Sequence, residues 1–381
     1  MGKRVAICAV SQIKNDGDYW YLRFQNMLLP CLEAILEQTG VTFDLDKGIR
    51  DIITCSDDVY DARTISNNGV TDVVGAHLRG EEKMAQEAIN GLGYAMASIL
   101  SGHDDVVLFM GHCKETQTES RLMNTNLAFD PFYSRPLGLD FINANAFQAR
   151  EYQDKSGLTD EHLAKIVVRS RENAKKNPYA RENELVTVQD VMKSSMIADP
   201  IRELHLYPVT DWAFGMLLCC EERAYEFTDN PVWITGFGNC MDSYFLGDRD
   251  LTSNFSLKRA AQRAYEMAGI KDPKKDFDVV ELMDSFAYQL PLWAEGVGIV
   301  DEGKGAEWID GKGADDQNVN LSGGMLNGNP IILGGVARAL ECVLQLRGEA
   351  GKSQVKGAKR ALAHGCYGAA GQHQAVVVLE K

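Results

Sequence analysis

The chain of 381 residues has no run of eighteen or more apolar residues, so no part of it reads as a membrane-spanning helix. It has no CxxC pair. Its nine cysteines, an odd number, are scattered, and only Cys219 and Cys220 are adjacent. That pattern excludes a disulfide framework and a zinc ribbon within the chain, and no metal is expected in it; a reducing compartment is the expectation. A basic surplus is missing too: 39 Lys and Arg against 54 Asp and Glu leave a formal charge of -15. Such a charge argues against a nucleic-acid or anionic-membrane surface. An anionic small molecule would have to be met by backbone N–H groups or a local basic patch. No basic-then-apolar leader precedes "MGKRVAICAV", which reads directly as a strand, and no low-complexity segment interrupts the chain. The expectation is a cytoplasmic protein.

What is present is a globular composition, 45% hydrophobic and 24% charged, in a chain long enough for two domains of ordinary size. Two stretches share a rhythm. "RVAICAV" (4–10) is a strand, followed by an amphipathic "YLRFQNMLLPCLEAILEQTG" and the strand "IRDIITCS" (49–56). Much later "PVWITGFGN" (231–239) is a strand, followed by "SLKRAAQRAYEMAGI" and "FDVVELMDSF" (277–286). A duplicated βαβ unit is the economical reading, although any α/β protein alternates in this way. "EKMAQEAINGLGYAMASILSG" (82–102) reads as a helix buried on all sides, and "DDVVLFMGH" (104–112) as a buried strand. The second half carries its own central helix, "GGVARALECVLQLRGEAG", and a paired ending. Between the halves, 116–228 reads as an inserted loop domain that includes the helical "TDEHLAKIVVRSRENAKKNP" (159–178). The expected division is 1–115, 116–228 and 229–381.

The segment "NLSGGMLNGNPIILGG" (320–335) is the densest in chemistry. Gly323 and Gly324 suit a tight turn, and Gly328-Asn329-Pro330 a second turn before a helix. It resembles the signature of the thiolase superfamily, Asn-x-x-Gly-Gly followed by Gly-His-Pro and a glycine pair. The closing "GCYGAAGQHQAVVVLE" resembles that family's Cys-x-Gly-Gly loop and last strand. "ELMDSF" resembles its Glu-Leu-His-Asp-Cys-Phe. The resemblance covers nearly the whole chain. It is strongest to the sterol-carrier-protein-x branch and to thiolase-like proteins that work with a small zinc-ribbon and OB-fold subunit. It implies an α/β thiolase fold, duplicated and layered α-β-α-β-α, with helices 82–102 and 334–350 back to back in the middle. It also implies coenzyme A as substrate, a homodimer, and a small zinc-binding OB-fold partner.

Three departures shape the chemistry. The family's nucleophilic cysteine, activated at a helix N-terminus, would fall near Ala85-Gln86-Glu87, where there is none. The histidine of Gly-His-Pro is Asn329, and that of His-Asp-Cys-Phe is Met283. Cys366 matches the family's second catalytic cysteine, which moves protons at the substrate's α-carbon. Asn329 keeps an N–H that can hold an oxyanion but has no acid–base capability at neutral pH. Tyr288 and Tyr367 offer hydroxyls that can serve as acid or base, or pack in the core. His112, His364 and His373 read as satisfied structural residues, and Cys113 as a small buried hydrophobe. Ser322, Gly323, Gly324 and Gly368 are the expected contacts of the CoA moiety in this family context.

Two reactions fit. One is CoA-dependent thiolysis of a branched or aryl 3-oxoacyl-CoA of the benzoylsuccinyl-CoA type, as in catabolic β-oxidation. The other is retro-aldol cleavage of a 3-hydroxyacyl-CoA, which needs no nucleophile. The retained Cys366 tilts the reading toward thiolysis. A catalytically silent scaffold subunit is the third possibility.

Overall fold

The computed structural model describes residues 4–17, 19–59, 67–118 and 120–381. Nine strands form one mixed sheet: β1 (Val5–Gln12), β2 (Asp51–Cys55), β3 (Gly80–Met84), β4 (Val106–Lys114), β5 (Asp211–Cys220), β6 (Val232–Met241), β7 (Val279–Glu281), β8 (Arg360–Tyr367) and β9 (His373–Glu380). Their order across the sheet is β3-β2-β4-β5-β1-β6-β9-β8-β7. The first half therefore runs third, second, fourth, fifth, first, with the fifth strand antiparallel to both neighbours. The second half repeats that order from the other end. Its third strand is reduced to one parallel bridge, Val280 to Val319. β1 and β6 join the halves over Val5–Ile7 and Val232–Ile234, antiparallel. The duplication expected from the sequence is a topological one.

Seven helices position the rest: α1 (Phe24–Thr39), α2 (Ala88–Ser101), α3 (Phe141–Ser156), α4 (Asp160–Ala174), α5 (Phe255–Ala268), α6 (Gln289–Gly296) and α7 (Gly334–Arg347). α1 buries Phe24, Met27, Leu28, Cys31, Leu32 and Ile35, the helical spacing of a single apolar face, against the outer side of β1, β4 and β5. α5 covers the outer side of β6 and β9. There the strand approaches the helix backbone: a Cβ at Gly236 would lie 2.2 Å from Ala264 O, and one at Gly238 2.1 Å from Ala260 O. Only glycine permits that contact. α2 and α7 pack on each other and on strands of both halves. The layers are α1, half-sheet, α2 with α7, half-sheet, α5. This is the α-β-α-β-α arrangement.

Three expectations are corrected. The run 82–102 is not one helix: its first residues complete β3, and α2 begins at Ala88. α2 is not buried on all sides, since Tyr94 is 42% exposed. The segment 116–228 does not lie wholly outside the core, because Asp211–Cys220 is a fully buried strand in the middle of the sheet. No helix among the described residues is long and apolar enough to cross a membrane.

Candidate active site

β8 delivers Cys366 and Tyr367 to its end, where Gly368 and Gly371, at φ 80 and 64, turn the chain back into β9. The segment after β7 lies alongside. Cys366 N–H donates to Met283 Sδ at 3.2 Å, and Trp293 Nε1–H donates to Met283 O at 3.0 Å. A third segment, 320–333, is pinned to the second. Leu282 N–H donates to Asn320 Oδ1 (2.6 Å), Met325 N–H to Asp284 Oδ1 (2.6 Å), and Asn329 Nδ2 to Ser285 Oγ (3.0 Å). Ile332 O accepts from Ala88 N–H at 2.6 Å, which ties this segment to the head of α2.

These ends enclose a cavity of about 290 Å³ with Cys366, Tyr367, Gly368, Met283, Ser285 and Asn329 on one side. Thr125, Phe129, Phe141 and Tyr207, from 116–228, line it too, and Phe286 extends the aromatic surface. Tyr207 is held in place by its N–H bond to Ser285 O (3.2 Å), and the Arg121 guanidinium lies 4.3 Å from its ring centre. The cavity thus joins apolar and aromatic walls to a few convergent polar groups, the usual make-up of a small-molecule site.

Of the expected site residues, Cys366, Asn329, Tyr367 and Gly368 meet in this cavity. Tyr288 does not line it: the residue is 0% exposed, and its hydroxyl lies 2.7 Å from Asn145 Oδ1 and 2.8 Å from Gln148 Oε1. It is a core residue whose polar end is satisfied. Ser322, Gly323 and Gly324 do not line the cavity either. Ser322 Oγ donates to Glu281 Oε2 at 2.7 Å, within a buried cluster completed by Arg338. A Cβ at Gly323 would collide with Ala174, and one at Gly324 with Asp284. The glycine pair closes a packed turn between Ala174 and Asp284.

Two residues at the site carried no signal of their own in the sequence. Tyr207 sits in "IRELHLYPVT", inside the region 116–228 that reads as an inserted loop domain. Glu87 caps α2, at the end of the stretch Ala85-Gln86-Glu87 near which the resemblance puts the missing thiol, and accepts from Ile89 N–H at 3.3 Å. The nearest hint was a charged letter at the start of an apolar helix. His364 and His112 are buried inside the protein, His364 Nε2 lying 2.6 Å from Gln374 Oε1 and His112 stacked on Phe24 at 4.5 Å.

The electrostatics are set by burial. Desolvation pushes the Cys366 thiol far up, and the nearby Glu87 and Asp284 carboxyls push it the same way. Glu87 itself is raised to about 8 by burial, against the pull of several backbone N–H groups. Asp284 is raised to about 7 for the same reason, with the Met325 N–H opposing. Burial raises the Tyr207 and Tyr367 phenols and lowers His364 to about 4. At neutral pH the site therefore holds its thiol and phenols protonated. On the far side of the sheet, at the starts of β2 and β4, ligand atoms of Asp51, His103 and Asp104 lie within 4.8 Å of one another. That group is remote from the cavity.

The Asn329 amide faces the cavity, donating to Ser285 Oγ and hydrogen-bonding the Tyr207 phenol, and as an oxyanion donor it would turn from these partners to the ligand. Asn329→Ala is expected to lower kcat by about 10²-fold, the usual effect of one lost oxyanion donor. Asn329→Asp should be worse, because a carboxylate repels the developing charge; equal losses in steady-state assays would refute the assignment.

Comparison with known proteins agrees with this geometry. The model of a thiolase C-terminal domain-like family matches residues 238–381. Acetyl-CoA acetyltransferase of Methanothermobacter thermautotrophicus is 33% identical over 377 residues, covering 96% of this chain and 97% of that protein. The benzoylsuccinyl-CoA thiolase subunit BbsB of Thauera aromatica is 30% identical over 216 residues, 55% of this chain and 56% of that one. The solved Ltp2-ChsH2(DUF35) aldolase shares the fold with a TM-score of 0.83 at 19% identity, over 99% of this chain and 97% of that chain. From full-length similarity, a repeated topology and a cavity at the shared strand ends, the chain belongs to the thiolase superfamily.

Proposed function

We propose that the chain transfers an acyl group to coenzyme A by direct thiolysis of a branched or aryl 3-oxoacyl-CoA, without an acyl-enzyme. The observation that supports this reading is the head of α2, which is capped by Glu87 and carries no cysteine. Attack must then come from the CoA sulfur itself. The sulfur bonds to the C3 ketone carbon, the Asn329 amide holds the oxyanion, and the C2–C3 bond breaks. Cys366 supplies the proton that C2 takes up, and the proton lost by the CoA thiol restores it. The aromatic wall of Phe129, Phe141, Tyr207 and Phe286 suits an aryl or branched acyl group. The relatives named acetyl-CoA acetyltransferase and benzoylsuccinyl-CoA thiolase subunit support acyl transfer. One relative is named a subunit and the solved neighbour's name joins two proteins, so the reading extends to a small zinc-binding OB-fold partner on a homodimer of this chain.

The test is an assay of the chain, alone and co-expressed with that partner, on 3-oxoacyl-CoA esters carrying benzoyl or branched groups. Two acyl-CoA products should form only when CoA is added, and the intact protein mass should stay unchanged during turnover. A protein-bound acyl group would sink the direct mechanism.

A second reading, retro-aldol cleavage of a 3-hydroxyacyl-CoA, is favoured by one feature. The Cys366 thiol is held protonated by burial and by two carboxyls, so it is a poor base toward CoA. Cleavage of a hydroxy substrate with no CoA present would establish that alternative.

A further inference from the structure

Glu87 lies where two helix heads converge. Its Oε1 accepts from Gly335 N–H at 2.7 Å, in the first turn of α7, and from Ile89 N–H at 3.3 Å, in the first turn of α2. Its Oε2 is buried and has no hydrogen-bond partner among the described residues, and the residue is 1% exposed. Glycines clear the space around it. A Cβ at Gly335 would lie 2.5 Å from Glu87 Oε1, and one at Gly365 3.0 Å from Glu87 Cγ. Gly365 immediately precedes Cys366, and Glu87 is the carboxyl acting most strongly on the Cys366 thiol. A buried carboxyl with one oxygen unpaired costs stability, so packing alone does not account for it.

We infer that Glu87 is the second proton holder of the site, acting through Cys366: the thiol that protonates the substrate's α-carbon is refilled from the Glu87 carboxyl. Opposed influences suit the group to that work. Burial favours the neutral acid, two sets of helix N–H groups favour the carboxylate, and the balance leaves Glu87 at about 8. The steps balance. The electron pair of the broken C2–C3 bond takes the proton of the Cys366 S–H, forming a C–H bond at C2. The Glu87 O–H bond then breaks and the S–H bond re-forms. That proton is the one Glu87, starting as the carboxylate, took up when the CoA thiol attacked before the C2–C3 bond broke, so one proton passes in net from the CoA sulfur to C2. The inference rests on the proposed reaction only in needing a carbanion at the α-carbon, which thiolysis and retro-aldol cleavage share.

Deuterium exchange at the α-carbon tests it independently of cleavage. The full chain, with any subunit that co-purifies, is incubated in D2O with acetyl-CoA and propionyl-CoA, and label uptake is read by mass spectrometry. The wild-type chain should exchange with a pH profile that turns near pH 8. Glu87→Gln should slow exchange by about 10²-fold and erase the turn, with the Kd of the acyl-CoA unchanged. Glu87→Asp, which keeps a carboxyl, should retain the pH dependence and part of the rate. Exchange by Glu87→Gln at the wild-type rate, a persisting turn near pH 8, or no exchange by the wild type on either ester would each overturn the inference. Glu87-dependent exchange without CoA-dependent cleavage would leave it standing and remove the thiolysis reading.

Discussion

Cys366→Ala is expected to lower kcat by about 10²-fold or more while leaving the binding of a CoA thioester nearly unchanged. The thiol is 7% exposed and lines the cavity; in the proposed reaction it would meet the substrate at the reacting carbon and contribute little to ground-state affinity. Its environment decides which way it works. Burial and two neighbouring carboxyls hold the proton on sulfur, which makes Cys366 a donor to a carbanion and a weak nucleophile. Cys366→Ser should recover little, since a buried hydroxyl releases its proton less readily still. Steady-state kcat and KM on the preferred ester separate the two effects. If Cys366→Ala turns over like the wild type while Tyr207→Phe or Tyr367→Phe is dead, a phenol is the proton donor. The retro-aldol reading then replaces thiolysis.

Glu87→Gln is expected to stabilise the fold, and increasingly so as pH rises. The carboxyl titrates at about 8 when folded, against 4.5 for an ordinary glutamate. Between those limits the unfolded chain has released the proton and the folded chain still binds it, so stability falls with rising pH. The contribution is fully present below pH 4.5 and is lost by about pH 8. Glutamine does not titrate. The margin of the variant over the wild type should therefore grow by roughly 3–5 kcal/mol across that window, because holding one extra proton is worth about 1.4 kcal/mol for every pH unit crossed. Asp284 and Glu341, both raised to about 7 by burial, tilt the two curves alike and drop out of the difference. Urea unfolding at several pH values measures it. Parallel curves for the two proteins would mean that Glu87 is not neutral in the fold. A variant that gains stability as it loses exchange is the pattern of a site kept at the expense of the fold.

How far the sequence could be read depended on which physical signals each residue leaves. β1, β4 and β6 were legible because apolar runs bounded by turns stand out in a charged chain. The turn glycines and Asn329 were legible through the resemblance, and the cavity gathers Asn329 with Cys366 and Tyr367. β5 was missed because "DWAFGMLLCC", an apolar run like β4, lies inside the region 116–228 that read as one inserted loop domain. α3 was missed because it buries Asn145, Gln148 and Gln153 along with its alanines, which blurs the helical stripe. Glu87 was visible only as an absent cysteine. A charged letter signals a solvated surface by default, and burial of an acid is written in its neighbours, Gly335 and Gly365, which lie far away in the chain.

The halves of the sheet repeat one another, but they end differently. On one side Val319 bridges to β7 and caps that border; on the other, β3 offers five residues whose outer rim pairs with no strand among the described residues. A ribbon with a single unfinished border can be extended once. Two copies meeting there, border to border and antiparallel, would satisfy each other and leave nothing for a third. In the proposed homodimer, growth by this route would stop at a closed pair of eighteen strands, twice the nine of one chain, and no fibre would follow from it.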